Sequence, residues 1–123
     1  MDRGPDFNHG FPEHDWDQAR EQARGAMVKR ASRGATMTYT DLCKEISAIL
    51  FDPHDQLLAH LLGQISTEED AAGRGMLTAV VVHKHDGWPG AGFFDLARSL
   101  GRKVTDEEEM WIAEINRLQA VYG

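Results

Sequence analysis

The chain has 123 residues, a formal net charge of −7 and a single cysteine. This length suits one domain that buries about two thirds of its unfolded surface and folds without a metal or a disulfide. The single cysteine excludes an intramolecular disulfide and fits a reducing, cytoplasmic environment. The acidic balance argues against a broad, non-specific nucleic-acid binder, since such proteins usually carry a basic surface.

The first segment, residues 1–12, is rich in Gly, Pro, Asp and Asn, and we expect a flexible arm there. Residues 13–123 are predicted to form a single domain. No apolar run approaches the roughly 20 residues of a membrane span, and the acidic start has no apolar signal core. We therefore expect a cytoplasmic protein without a membrane partner.

An amphipathic helix is predicted over residues 15–33, because small apolar residues recur there at helical spacing with arginines between them. Gly34 is a plausible stop. The predicted buried face comprises Trp16, Ala19, Ala23, Ala26 and Met27.

The segment ATMTYT, residues 35–40, favours a short strand or extended link, and Thr40 is expected to cap a helix over 41–50. The buried face of this helix is predicted to hold Leu42, Cys43, Ile46, Ile49 and Leu50. Cys43 is interpreted as a small core residue rather than a nucleophile, since free cysteine is among the most buried residue types.

Two further helical segments follow the break at FDPHD, residues 51–55. The first covers residues 56–66, with an apolar face of Leu57, Leu58, Leu61, Leu62 and Ile65. The second is short and starts at Ser66 or Thr67, which places the acids of STEED in its first turn, where the helix dipole favours them. The GRG sequence at 73–75 is expected to end it.

The run MLTAVVVHK, residues 76–84, gives the clearest strand prediction of the chain, with burial on both faces or a place at the centre of a small sheet. HDGWPGAG is predicted to form a turn or wing, and FFDLARSLG a helix. Thr105 is expected to cap a last helix whose buried stripe comprises Met110, Trp111, Ile115, Leu118 and Tyr122. These elements predict a mainly α domain with a small antiparallel sheet, in a winged-helix-like arrangement.

The step MTYTDL, with Thr38, Tyr39, Asp41 and Leu42, matches a V-T-Y-G-E-L-A step between a strand and a helix. With the order of elements over residues 19–101, it resembles the C-terminal DNA-binding domain of the alkylguanine-DNA alkyltransferases and alkyltransferase-like proteins. The resemblance implies a DNA-recognition helix followed by a strand and a glycine-rich wing.

The chain departs from that family at its reactive positions. The family's Pro-Cys-His-Arg motif is absent from LTAVVVHK, and DPHDQLLAH lacks the arginine expected at the start of the recognition helix. The resemblance therefore implies no alkyl transfer. A second set of letters, LLGQIS…EDAAGRGML…VVVHK…PGAGFFDLA, resembles small bacterial, often actinobacterial, proteins and implies no chemistry.

Candidate nucleic-acid contacts lie on the basic helix and around the predicted wing. Arginines and lysines neutralise phosphates, glycines beside Arg74 allow close backbone approach, and an exposed tryptophan can stack on a base. The candidate residues are Arg20, Arg24, Arg74, Lys84, His85 and Trp88. The first hypothesis is a non-enzymatic, winged-helix-like module that binds DNA or acts within a nucleic-acid-handling complex.

A second hypothesis is a protein–protein adaptor or regulator with acidic faces. Residues 41–70 hold seven acidic residues and one lysine, and residues 105–123 hold five acidic residues and one arginine. These faces would meet a basic partner, with Trp88, Phe93 or Trp111 as an aromatic anchor.

A third hypothesis is a small metal-dependent hydrolase or nuclease. His83 and His85 would lie on one side of a strand, at a spacing that suits zinc. Further ligands would have to come from Asp86, His54, Asp55 or His60. A nuclease would instead use Glu68, Glu69, Asp70 and Lys84. No complete metal motif is present, and we predict neither a catalytic residue nor a cofactor.

Overall fold

The computed structural model describes residues 7–8 and 10–123, which fold into a mostly helical unit. An antiparallel pair of short strands, β1 (Phe7–Asn8) and β2 (Phe11–Pro12), comes first. The next elements are α1 (Glu13–Ala31), β3 (Met37–Thr38), α2 (Tyr39–Glu45) and α3 (Gln56–Ala71). A 3₁₀-helix (Leu77–Val80) then leads into β4 (Val81–Val82), α4 (Ala91–Ser99) and α5 (Glu107–Tyr122). The predicted class, mainly α with a small sheet, is confirmed.

The predicted arm is only partly covered, since residues 1–6 and 9 lie outside the described residues. Its last part packs on the domain. The Phe11 ring stacks on Trp16 with centroids 6.2 Å apart and meets the edge of Phe51 at 6.4 Å.

Helix α1 is the centre of the core. Its buried face holds Trp16, Ala19, Ala23, Met27 and Ala31, close to the predicted set, with Ala26 only partly buried. The alanines bring the backbone of α1 close to the 3₁₀-helix and α3. Gly34 ends the first segment at φ +66°, as predicted, since glycine adopts this conformation without a Cβ clash.

The small sheet is parallel, so the predicted antiparallel pairing around residues 76–84 is wrong. Met37 of β3 lies opposite Val81 of β4, and Thr38 lies opposite Val82. The chain between them runs through α2 and α3, and such a crossover returns the second strand in the same direction. Residues 77–80 wind into the 3₁₀-helix although they are buried and apolar, which leaves only two residues in the strand. The winged-helix likeness stays a prediction.

Helix α2 begins and ends earlier than predicted. Its cap is Thr38 rather than Thr40: the Thr38 hydroxyl accepts the Asp41 N–H at 3.1 Å, and the Asp41 carboxylate accepts the Thr38 N–H. After Glu45 the Gln22 side chain accepts the N–H groups of Ser47 and Ala48 at 2.9 and 3.0 Å. These bonds satisfy a non-helical backbone. Leu50, expected in the core, is 93% exposed as a result.

Helix α3 is continuous through the point where a second helix was predicted to begin. Ser66 is fully buried, and its hydroxyl bonds Thr78 instead of capping a helix. Glu69 and Asp70 consequently lie in the last turn of α3, where the dipole disfavours carboxylates. In α5 the cap is Asp106 rather than Thr105, since the Asp106 side chain accepts the Glu109 N–H at 3.0 Å.

No helix within residues 7–8 and 10–123 has both the length and the apolar character needed to cross a bilayer.

Candidate functional site

A buried carboxylate organises one side of the molecule. The Glu69 side chain is 1% exposed and accepts hydrogen bonds from Arg24 at 2.8 Å, from Arg74 at 2.9 Å and from the Tyr122 hydroxyl. We call these four residues the Glu69 network. Burial by itself would raise the pKa of the Glu69 carboxyl, but the hydrogen bonds from Arg74 and Tyr122 and the charges of Arg74 and Arg24 outweigh it. The pKa of this carboxyl is therefore lowered.

A second buried carboxylate lies on α5. Glu114 accepts the Met76 N–H at 2.7 Å and pairs with Arg102, which also bonds Asp70. Arg102 thereby connects the end of α3 to the middle of α5. Sequence reasoning placed neither Glu69 nor Glu114 in the core, because glutamate is rarely buried unless it is paired.

Three of the six predicted nucleic-acid contacts form ion pairs with carboxylates on the side of the molecule that holds Glu69. Arg74 and Arg24 hold Glu69, and Arg24 also contacts Glu68 at 3.1 Å and Glu21 at 3.2 Å. Arg20 pairs with Asp17 at 3.0 Å and donates to Gln64 at 3.4 Å. These three side chains therefore form intramolecular ion pairs in the free protein.

Trp88 is half-buried and packs against Trp111, with ring centroids 5.3 Å apart and the ring planes tilted by 31°. The Trp111 indole N–H donates to the Ala79 carbonyl at 2.8 Å, which fixes the pair against the 3₁₀-helix. The predicted wing is a tight turn in which the His83 N–H donates to the Trp88 carbonyl at 2.8 Å. One face of Trp88 is thus already occupied.

Lys84 and His85, the remaining two predicted contacts, lie on a separate opening that we call the Lys84 recess. It has a volume of about 500 Å³ and combines three segments of the chain. Its lining comprises Thr38, Tyr39, Thr40, Pro53, His54, His83, Lys84 and His85. Lys84 is exposed, and no carboxylate of the described residues lies within 4.0 Å of it, while His85 lies 3.2 Å from Asp86.

The recess shares Tyr39, Pro53, His54 and His83 with a larger opening, the apolar cleft, of about 640 Å³. Leu58 and Leu62 of α3 and Phe93 and Leu96 of α4 supply apolar surface to this cleft. The segments that sequence reasoning treated as a helix face and a wing thus meet around one concave surface.

Tyr39 stands where the recess and the cleft meet. Its ring lies 4.9 Å from that of His83, and its phenol oxygen lies next to the Gly90 N–H. Burial raises the pKa of Tyr39 although the neighbouring Gly90 N–H opposes the change. A Cβ at Gly90 would lie 3.0 Å from the phenol oxygen and 3.2 Å from His83 Nε2, so a glycine keeps this corner open.

The predicted metal ligands do not form a metal site, although His54, His83 and His85 line the same recess. Within residues 7–8 and 10–123 no group of three or more His, Cys, Asp or Glu side chains has the arrangement of a metal site. Glu69 and Asp70 form ion pairs with arginines, and Asp55 caps α3 by accepting the Leu57 N–H at 2.9 Å. Cys43 is partly buried and packs against the core, and burial raises the pKa of its thiol.

Sequence reasoning missed Tyr39 and Thr78 as members of a site and considered His54 only as a metal ligand. Tyr39 was noted only as part of the MTYTDL match, and no periodic pattern distinguishes a cleft residue from a core residue. The available signal was the clustering of hydroxyl and imidazole side chains at the ends of elements, where loops gather in the fold.

We compared the chain with protein-family models, with curated proteins and with solved structures, and none of the three comparisons yields a match.

Proposed function

We propose that this chain is a non-enzymatic nucleic-acid-binding module that contacts the phosphate backbone at the Lys84 recess. The observation that carries the proposal is the state of Lys84, an exposed cation beside the Thr40 hydroxyl and His54 with no carboxylate of the described residues within 4.0 Å. Lysine and hydroxyl side chains are common phosphate contacts in nucleic-acid complexes.

The recess supports this function better than α1 does. Arg20 and Arg24 already make ion pairs, and a phosphate would have to compete with Asp17, Glu68 and Glu69 for them. Lys84 would lose no such pair on binding. Because the chain has a net charge of −7, we expect it to bind nucleic acid only at a local cationic surface of this kind.

The test is fluorescence anisotropy with short labelled duplex and single-stranded DNA over a range of salt concentrations. Each phosphate contact releases counterions, so affinity should fall as salt rises. Lys84→Ala should weaken binding and reduce the slope of log K against log salt by about 0.7 to 0.9, the contribution of one contact. Lys29→Ala is the matched control, because it removes the same charge from an exposed position on α1.

Two outcomes would overturn the proposal. One is no binding at low salt, where the electrostatic attraction is strongest. The other is equal weakening by Lys84→Ala and Lys29→Ala, which would show that net charge rather than the recess controls binding.

A further inference from the structure

The floor of the apolar cleft carries a hydroxyl with an unused proton. Thr78 lines the cleft, is 7% exposed, and its oxygen lies 2.6 Å from that of the fully buried Ser66. Ser66 Oγ accepts the Thr78 N–H at 3.1 Å. The Ser66 proton has no other acceptor among the described residues, and leaving a buried donor unsatisfied is costly. Ser66 therefore donates to Thr78, and the Thr78 O–H faces the cleft.

Tyr39 supplies a second donor. Its phenol oxygen lies next to the Gly90 N–H, which is itself a donor and cannot take the phenol proton. No acceptor for that proton lies among the described residues, and Tyr39 lines the same cleft as Thr78. The cleft thus offers two hydroxyl donors between walls of leucine and phenylalanine.

We propose that the apolar cleft is a binding site for a small, uncharged aromatic molecule that carries a carbonyl acceptor, such as an aryl ketone. The walls formed by Leu58, Leu62 and Phe93 take the ring, and the hydroxyls of Thr78 and Tyr39 donate to the carbonyl oxygen. A concave, mainly apolar site with a few convergent polar groups is the usual form of a small-molecule site, and about 640 Å³ is within the normal range.

The charges at the rim favour a neutral ligand. Asp55 and Asp95 both line the cleft. Asp55 caps α3, and Asp95 lies 3.5 Å from Arg98. These acids would repel a carboxylate ligand, whereas they would not repel an uncharged ketone. The proposal does not rest on nucleic-acid binding, and Lys84→Ala should leave ligand affinity unchanged.

The test is a titration of the full chain with acetophenone, followed by ¹H–¹⁵N NMR, with ethylbenzene as a matched probe that lacks the acceptor. Acetophenone should give saturable shifts at amides of the cleft and bind more tightly than ethylbenzene. Tyr39→Phe should weaken acetophenone by about threefold to tenfold, the effect of one hydrogen bond, and leave ethylbenzene unchanged.

Gly90→Ala should weaken both probes, because its methyl group enters the corner between Tyr39 and His83. The Gly90 backbone, at φ −67° and ψ 160°, accepts alanine without strain, so the variant should fold. Gly25→Ala is the control, since its Cβ meets no atom within 4 Å on α1. The proposal is overturned if acetophenone gives no saturable shifts, if ethylbenzene binds equally well, or if Gly90→Ala and Gly25→Ala bind alike.

Discussion

The Glu69 network and the apolar cleft lie against the same helix, α3, and use their polar groups in opposite ways. In the network every charged group has a partner, and the central carboxylate accepts from three different segments. In the cleft the hydroxyls of Thr78 and Tyr39 retain protons with no acceptor among the described residues. Satisfied polar groups hold a fold together, whereas unsatisfied ones at a concave surface are available to a ligand.

This contrast predicts that substitutions at the network will change stability and that substitutions at the cleft will change binding. The largest expected effect is that of Glu69→Gln. Neutralising this buried carboxylate removes the ion-pair partner of Arg74 and one of the three carboxylates that contact Arg24. The change should lower the free energy of unfolding by about 3 kcal/mol. Urea denaturation measures this change. The control, Glu68→Gln, removes a charge whose side chain is 48% exposed and should cost less than about 1 kcal/mol.

The pH dependence of stability gives a second test of the network. Because folding lowers the pKa of Glu69 from its ordinary 4.5, the carboxylate stabilises the fold above that pH. The stabilisation is lost as the pH falls through the lowered, folded-state pKa. Unfolding free energies measured by denaturant from neutral pH downward should converge for the wild-type protein and Glu69→Gln. A gap that stays constant into acid would contradict the assignment.

Gly75→Ala should be the next largest effect. Gly75 has φ +107°, and a Cβ there would lie 2.8 Å from the Glu114 carboxylate. Backbone strain together with displacement of this buried acid should cost about 2 to 3 kcal/mol. Gly73→Ala, at φ +79° but with open space around the Cβ, isolates the strain and should cost about 1 kcal/mol. Thermal melts of the two variants should differ; equal melting temperatures would show that Glu114 moves freely.

On the cleft side, Tyr39→Phe should lower the free energy of unfolding by no more than about 1 kcal/mol, because the phenol oxygen loses only its contact with the Gly90 N–H. Chemical denaturation provides the measurement. A loss as large as that of Glu69→Gln would mean that the phenol stabilises the fold. It would contradict the assignment of stability to the network and of binding to the cleft.

Lys84→Ala should have the smallest effect on stability, within about 0.5 kcal/mol, because the side chain is exposed and makes no ion pair with the described residues. The same denaturation series tests it. A clear loss of stability would show that Lys84 has an intramolecular partner and is not held available for a ligand.

The helix faces were largely predictable from the sequence. Periodic alanines and leucines identify the buried sides of α1 and α3, and Gly34 and Gly101 mark helix ends through their positive φ angles. Such signals are local, since they depend on residues within one or two turns. The acidic face expected on the last helix is also present, because Glu107, Glu108 and Glu109 fill its first turn and are exposed.

The failures have a common physical origin in contacts between distant segments. The Gln22 side chain accepts backbone N–H groups 25 and 26 residues away, where α2 ends. Thr78 forms a hydrogen bond with the buried Ser66, 12 residues away. Arg24 of the predicted basic face pairs with Glu69, which is 45 residues distant. A pattern read along the chain carries no information about such partners.

The spacing of the residues around Glu69 also bears on how the chain acquires its fold during synthesis. One partner of the carboxylate precedes it by 45 residues, one follows by 5, and the Tyr122 hydroxyl follows by 53. At a translation rate of about 5 to 20 residues per second, the last partner emerges about 3 to 10 s after Glu69 itself. For that interval the nascent chain carries an incompletely neutralised acid at a position that must become dry. Closure of this side of the core therefore awaits α5, and the growing chain stays exposed to proteases and chaperones until α5 has emerged.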